Sequence, residues 1–222
     1  MTINHKFVRR LRGLPRTWRE FDRALSILAT LRDEGWQASA SGVPVDGEGR
    51  PSPWYSMPAR VWLERRLRVS DRVFEFGAGQ STLWYASRVR SVSSVDHDEA
   101  WVRRLRLQLP CNATVDLASP EDYVCALPRL GREFDVVAID GIARSECAGV
   151  AAEWITPGGL IVVDNSDRPE SAAGIEALVA RGFRHIDFIG FTNGYSTLTC
   201  TSVLFHAPER WLGLSAPPHL GW

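Results

Sequence analysis

Two rhythms of apolar residues alternate along most of this chain. Short runs with strand character lie at Val73 to Phe76, Ser91 to Val95, Ala113 to Leu117, Phe134 to Ile139 and Leu160 to Val163. Between and after them come helical segments. One opens at Ser81, one spans Asp98 to Leu109, one starts at Ser119-Pro120-Glu121-Asp122, and two more cover Ser145 to Ile155 and Pro169 to Arg181. Five strand-helix alternations require a parallel sheet covered by helices on both faces. Two further strands, His185 to Ile189 and Thr197 to Phe205, are joined by a short stretch containing Asn193-Gly194. That connection is too short for a crossover helix, so the last pair must be antiparallel. The predicted fold class is α/β: a Rossmann-like, mostly parallel seven-stranded sheet with helices on both faces and a C-terminal antiparallel hairpin.

The pattern changes at both ends. Residues 1–57 read as a helical extension and a lid-like loop, 58–206 as the main domain and 207–222 as a tail. Lys6, Arg9, Arg10 and Arg12 interleave with apolar residues, which suits either a solvated basic face or contact with an acidic partner or membrane surface. Pro15 then opens a helix ending near Gly35, with Trp18, Phe21, Leu25 and Leu28 at packing spacing. From Gln37 to Met57 neither period holds, and loops this long are uncommon unless they act as lids or linkers. Trp54 and Tyr55 close it, either as a lid over a ligand or as core aromatics. The tail, with Trp211 and Trp222, offers a packing or homodimer contact.

Composition narrows the function classes. The chain has 222 residues, enough for one domain with a substantial core, and its 26 basic and 26 acidic residues leave no global field to recruit nucleic acid. Lys6 is the only lysine, so no lysine base is at hand in the main domain. The four cysteines lack C-x-x-C spacing, which indicates neither zinc nor a disulfide scaffold and fits a cytoplasmic setting. No apolar run is long enough for a membrane span.

Candidate chemistry gathers where strands end. Glu75-Phe76-Gly77-Ala78-Gly79-Gln80-Ser81-Thr82 is strand, Gly-rich turn and helix start, an arrangement that lets backbone N–H groups approach a nucleotide. A dinucleotide fingerprint would place a third glycine where Thr82 stands, and Glu75 would repel a pyrophosphate. A ligand carrying an ammonium and a sulfonium would be attracted instead. Asp96, nineteen residues after Gly77, is placed to accept ribose hydroxyls, and His97 follows it. Asp140 ends the most continuously apolar strand, and the next strand ends in Asp164-Asn165.

The Glu75 to Thr82 run resembles the first motif of the class I S-adenosylmethionine-dependent methyltransferases. The resemblance extends over about residues 58–206 and also touches a group of bacterial methyltransferase-like proteins. It implies S-adenosylmethionine as cofactor, with Glu75, Gly77, Ala78, Gly79, Gln80, Ser81, Thr82, Asp96, His97, Ser119, Asp122 and Asp140 as cofactor-binding positions. It implies a transferase that methylates a hydroxyl of a small molecule or sugar-like metabolite, with Asp140 or His97 as the base. Ile139-Asp140-Gly141 and Asp164-Asn165 also resemble the magnesium site of catechol-type O-methyltransferases, which makes Asp140, Asp164 and Asn165 candidate Mg²⁺ ligands. Those enzymes place a lysine near the first Asp, whereas Arg144 stands here. Two other readings remain open at this level: a nicotinamide-dependent oxidoreductase on the same fold, and a non-catalytic S-adenosylmethionine-binding protein. A nucleic-acid substrate is not expected, since no Asn-Pro-Pro-Tyr-like motif follows the fourth strand.

Overall fold

A computed structural model describes residues 17–213. The basic arm and Trp222 lie outside the described residues. Seven strands form one sheet: β1 (Arg72–Phe76), β2 (Ser91–Asp96), β3 (Ala113–Leu117), β4 (Phe134–Ile139), β5 (Ile155–Asp164), β6 (Arg184–Phe191) and β7 (Leu198–Phe205). Their order is β3-β2-β1-β4-β5-β7-β6. The first five pair in parallel, and β7 runs antiparallel to both β5 and β6. The parallel sheet of five strands and the antiparallel final pair are those expected from the two rhythms. The strand order switches at β1, with β2 and β3 added on one side and β4 and β5 on the other, so the crevice above the sheet opens at the carboxyl ends of β1 and β4.

Side-chain alternation divides the core between the two faces of the sheet. Val73, Val136, Ala138, Leu160, Val162, Val203 and Phe205 face one layer. Phe74, Phe76, Val137, Ile139, Ile161, Val163 and Leu204 face the other. The first layer is closed by α2 (Met57–Glu64) and α3 (Gln80–Ala86), through Ala59, Leu63, Trp84 and Tyr85. The second is closed by α6 (Arg144–Trp154) and α7 (Pro169–Ala180), through Cys147, Ala148, Ala151 and Leu178. Between them in sequence lie α4 (Glu99–Arg106), which packs Val102 and Leu105 against Ala78 and Val115, and the single turn α5 (Ala126–Arg129).

Four local expectations are revised. The helix foreseen at Ser119 is a series of turns, and only α5 is helical there. Pro157-Gly158-Gly159, expected as a turn leading into the strand Leu160 to Val163, lies inside β5, where the register against β4 shifts between Phe134 and Val136. The Gly158 carbonyl accepts from Trp211 Nε1 and Arg210 Nη1, which ties residues after β7 to this irregular segment. Trp211 is itself buried against Trp62, so packing of the main domain continues past residue 206. The fourth revision concerns α1 (Trp18–Asp33), which has a Thr17–Glu20 capping box but no buried residue. Trp18, Phe21, Leu25 and Leu28 are all exposed, so their spacing does not dock this helix on the core.

The long loop is built rather than structureless. A 3-10 turn spans Ala38–Ser41, Val45 bridges Pro51, and the Asp46 carboxylate accepts the N–H groups of Glu48 and Arg50. Asn193 in the β6–β7 connection donates to the carbonyls of Glu34 and Val45, and Thr192 Oγ1 donates to the Trp54 carbonyl at 2.5 Å. Two segments far apart in sequence are thereby pinned together over one end of the sheet.

Candidate active site

The Gly-rich turn after β1 is held from below. Gly77 adopts φ +93°, and a Cβ there would lie 2.7 Å from the Gly141 nitrogen, so close approach of two loops and a positive φ both demand glycine. Gly79 differs. Its backbone is extended, and a Cβ would meet only ordinary contacts near 3.8 Å, so the protein itself does not require glycine there. Its bare surface forms part of a cavity wall that a side chain would fill.

Glu75 is fully buried beneath this turn rather than facing the crevice. Thr82 Oγ1 donates to Glu75 Oε2 at 2.5 Å and accepts from the Gly79 N–H at 2.9 Å, while Ser94 Oγ donates to Glu75 at 3.3 Å. Thr82, standing where a dinucleotide fold has its third glycine, therefore links Glu75 to the turn. Burial pushes the Glu75 carboxyl up to about 7, against the opposing pull of hydroxyls from Ser81, Thr82 and Ser94. Its Oε1 has no partner among the described residues.

Above the turn lies a cavity of about 360 Å³, lined by Gly77, Ala78, Gly79, Gln80, Ser81, Asp96, His97 and Asp140. Eight of the expected cofactor positions thus come together, although they lie on three separate strand ends. Asp96 accepts the Ala78 N–H on Oδ2 and the Asp98 N–H on Oδ1, each at 3.0 Å, which fixes its carboxylate at the end of β2. His97 Nδ1 lies 3.5 Å from Asp96, and the imidazole remains partly exposed. Ser119 and Asp122 do not reach this cavity. Both are exposed, and Asp122 is engaged by Ser119 and the Arg129 guanidinium, a turn-capping arrangement.

Sequence reasoning missed several lining residues. Trp101 donates its indole N–H to the Ala78 carbonyl at 2.6 Å and walls the cavity, and Val43 and Pro44 arrive from the long loop. An aromatic one turn into the helix after Asp96 was the available signal for Trp101; nothing in the pattern marked Val43 or Pro44. Of the two loop aromatics, Tyr55 is core, its hydroxyl bonded to Tyr85, whereas Trp54 faces the cavity.

A second cavity, of about 430 Å³, adjoins the first. Asp140 and Trp54 line both. Its other walls come from the end of β5 (Asp164, Asn165, Asp167, Arg168) and from the β6–β7 connection and the start of β7 (Thr192, Tyr195, Thr197, Thr199). Asp140 and Asp164 interact closely, and burial raises both carboxyls above the usual range, while Arg144 opposes the rise. Asp164 is further held by Thr201 Oγ1, which donates at 2.7 Å.

The Mg²⁺ expectation does not fit this donor set. Arg144 Nη2 sits 3.5 Å from Asp140 Oδ1 and 3.4 Å from Asn165 Oδ1, so a guanidinium already serves these oxygens. Asn165 also directs its amide to Thr199. Among the described residues, no group of three or more His, Cys, Asp or Glu side chains could hold a metal ion.

No protein-family model matches the chain, and no curated protein matches it by sequence. Solved structures do resemble it. Precorrin-6y C5,15-methyltransferase from Geobacter metallireducens is 15% identical, with a TM-score of 0.56 over 74% of this chain and 91% of that one. A Streptococcus mutans protein solved in complex with S-adenosylhomocysteine is 11% identical, with a TM-score of 0.51 over 66% and 95%. Spermidine synthase from Thermotoga maritima is 16% identical, with a TM-score of 0.51 over 67% and 57%. At these identities the likeness speaks for architecture, and it agrees with the strand order and antiparallel last strand: the chain carries the fold of the class I S-adenosylmethionine-dependent methyltransferases.

Proposed function

We propose that this protein transfers the methyl group of S-adenosylmethionine to a hydroxyl oxygen of a small molecule. The observation that carries the reading is the pair of adjoining cavities with Asp140 and Trp54 in their common wall. One has the backbone turn, the open Gly79 surface and the Asp96 carboxylate that suit a nucleoside. The other is lined by hydroxyls and carboxylates that suit a polar acceptor.

S-adenosylmethionine, when bound, supplies a methyl group already activated by its sulfonium. The chain's own residues then position and deprotonate the acceptor. Asp96, fixed by two N–H groups, keeps lone pairs for ribose hydroxyls. Trp54 and the β6–β7 connection orient the acceptor so that its oxygen faces the first cavity, and orientation of this kind is worth up to about 7 to 11 kcal/mol in favourable systems. Asp140 takes the hydroxyl proton as the oxygen–methyl bond forms and the carbon–sulfur bond breaks, its electron pair leaving on sulfur as S-adenosylhomocysteine. The raised affinity of Asp140 for a proton suits it to this acceptance near neutral pH. Arg144, already beside Asp140, supplies the local positive charge, and no step here requires a metal.

Release of S-adenosylhomocysteine against a panel of hydroxylated metabolites and sugars tests the reading. Activity should survive chelator and fall about 100-fold or more in Asp140→Asn. Near-parental turnover in Asp140→Asn would remove Asp140 from the mechanism, and loss of activity with chelator would restore a metal to it.

A further inference from the structure

The second cavity holds charges whose partners are unevenly distributed. Asp140 is paired with Arg144, Asp164 with Thr201, and Asp167 accepts the Cys200 N–H at 3.2 Å. Each acid in the wall therefore has a donor. Arg168, the cation lining the same wall, makes no salt bridge and no side-chain hydrogen bond among the described residues, though its charge is felt at Asp140. It also immediately precedes α7, whose start has no side-chain cap, so the helix dipole adds to the positive potential there. An ammonium ligand would meet acids that are already served and a guanidinium that repels it. An anionic group would find at Arg168 a guanidinium with no other side-chain partner among the described residues.

The remaining walls describe the body of the ligand. Trp54 and Tyr195 stand edge to face with ring centroids 5.8 Å apart. The Trp54 indole N–H is buried with no acceptor among the described residues, and Trp54 lines both cavities. A buried donor left unpaired is costly, and a ligand oxygen at this point would satisfy it. Thr192, Thr197 and Thr199 offer hydroxyls along the same wall. A flat or ring-shaped body with several oxygens suits such a surface.

Resting on the methyl-transfer reading above, we propose that the acceptor is a hydroxylated ring bearing a carboxylate or phosphate, its anionic group held by Arg168 and its reactive hydroxyl facing Asp140. Carboxylate and phosphate present the same chemistry to a guanidinium, as planar or tetrahedral oxygens accepting charge-assisted hydrogen bonds.

The test is calorimetric and does not depend on turnover. Full-length protein is titrated, with and without saturating S-adenosylhomocysteine, with matched pairs: 4-hydroxybenzoate against 4-hydroxybenzamide, and glucose 6-phosphate against glucose. At least one anionic member should bind about tenfold or more tightly than its neutral partner, and the pair that responds tells carboxylate from phosphate. Arg168→Gln should bring the two members of that pair within about twofold, while Arg103→Gln, on the exposed face of α4, should leave the preference intact. Neutral members binding as tightly as anionic ones, no binding by any member, or a preference that survives Arg168→Gln each overturns the proposal. S-adenosylhomocysteine failing to bind would instead count against the methyl-transfer reading, with the anion preference still read on the unliganded protein.

Discussion

Glu75 shows how one residue can be noticed for one reason and placed for another. Its position two residues before Gly77 marks the cofactor motif, yet its carboxyl is sealed beneath the turn and works through Thr82. The burial has a thermodynamic consequence with a definite sign. Its proton is held up to about pH 7 in the folded chain, against an ordinary value of 4.5, so folding favours the protonated form. The stability it confers is fully present below about pH 4.5 and is lost as pH rises through about 7, by up to about 3 kcal/mol. Urea midpoints of the unliganded protein measured from pH 5 to pH 8 should therefore fall with pH more steeply than those of Glu75→Gln. Equal slopes in the two proteins would mean that Glu75 is not protonated in the fold. At Asp140, activity should likewise rise with pH above the ordinary carboxylate range, with an apparent value that belongs to the Asp140–Asp164 pair rather than to either residue.

Elements with a strong period were legible from sequence, and those defined by tertiary contact were not. The β4 run Phe134 to Ile139 is apolar throughout because both faces of a central parallel strand are covered, and the structure places it between β1 and β5. The segment after Ser119 has a helix-start signature, but its Ser119–Asp122 contacts close a turn and do not propagate. In α1 the spacing is helical and the helix exists, yet periodicity alone did not reveal that its apolar side lies open. Leu25→Ala should accordingly change stability by no more than about 0.5 kcal/mol, whereas Leu63→Ala in α2, fully buried, should cost about 2 to 5 kcal/mol. Comparable losses from the two, in urea unfolding, would show that α1 is covered. The loop carrying Trp54 had no period to read, and its order comes from Asn193 and Thr192 more than a hundred residues away in sequence. Trp54→Ala, opening the wall of both cavities, should weaken cofactor binding and turnover together; an effect on neither would assign Trp54 to packing alone.

On the scale of the whole molecule, the sheet brings three separated strand ends to one crevice. The Gly-rich turn follows β1, Asp96 ends β2 and Asp140 follows β4, and these join around one cavity because β1 lies between β2 and β4. Position in the sheet, readable from the alternation of strands and helices, is what brings these residues to one cavity. The second cavity depends on the β6–β7 connection and on the built loop, and only their pairing in space shows that they form a wall. Among the described residues no helix is long and apolar enough to cross a membrane.

The central claim is that this crevice binds S-adenosylmethionine through the turn and Asp96, and titration calorimetry with S-adenosylmethionine and S-adenosylhomocysteine tests it most directly. Saturable binding at one site per chain is predicted, with no comparable heat from reduced nicotinamide dinucleotide. Asp96→Ala should bind at least about tenfold more weakly, since charge-assisted hydrogen bonds are worth about 1.5 to 3 kcal/mol each. No heat with either ligand on folded protein would contradict the account, and unchanged affinity in Asp96→Ala would place the ribose elsewhere.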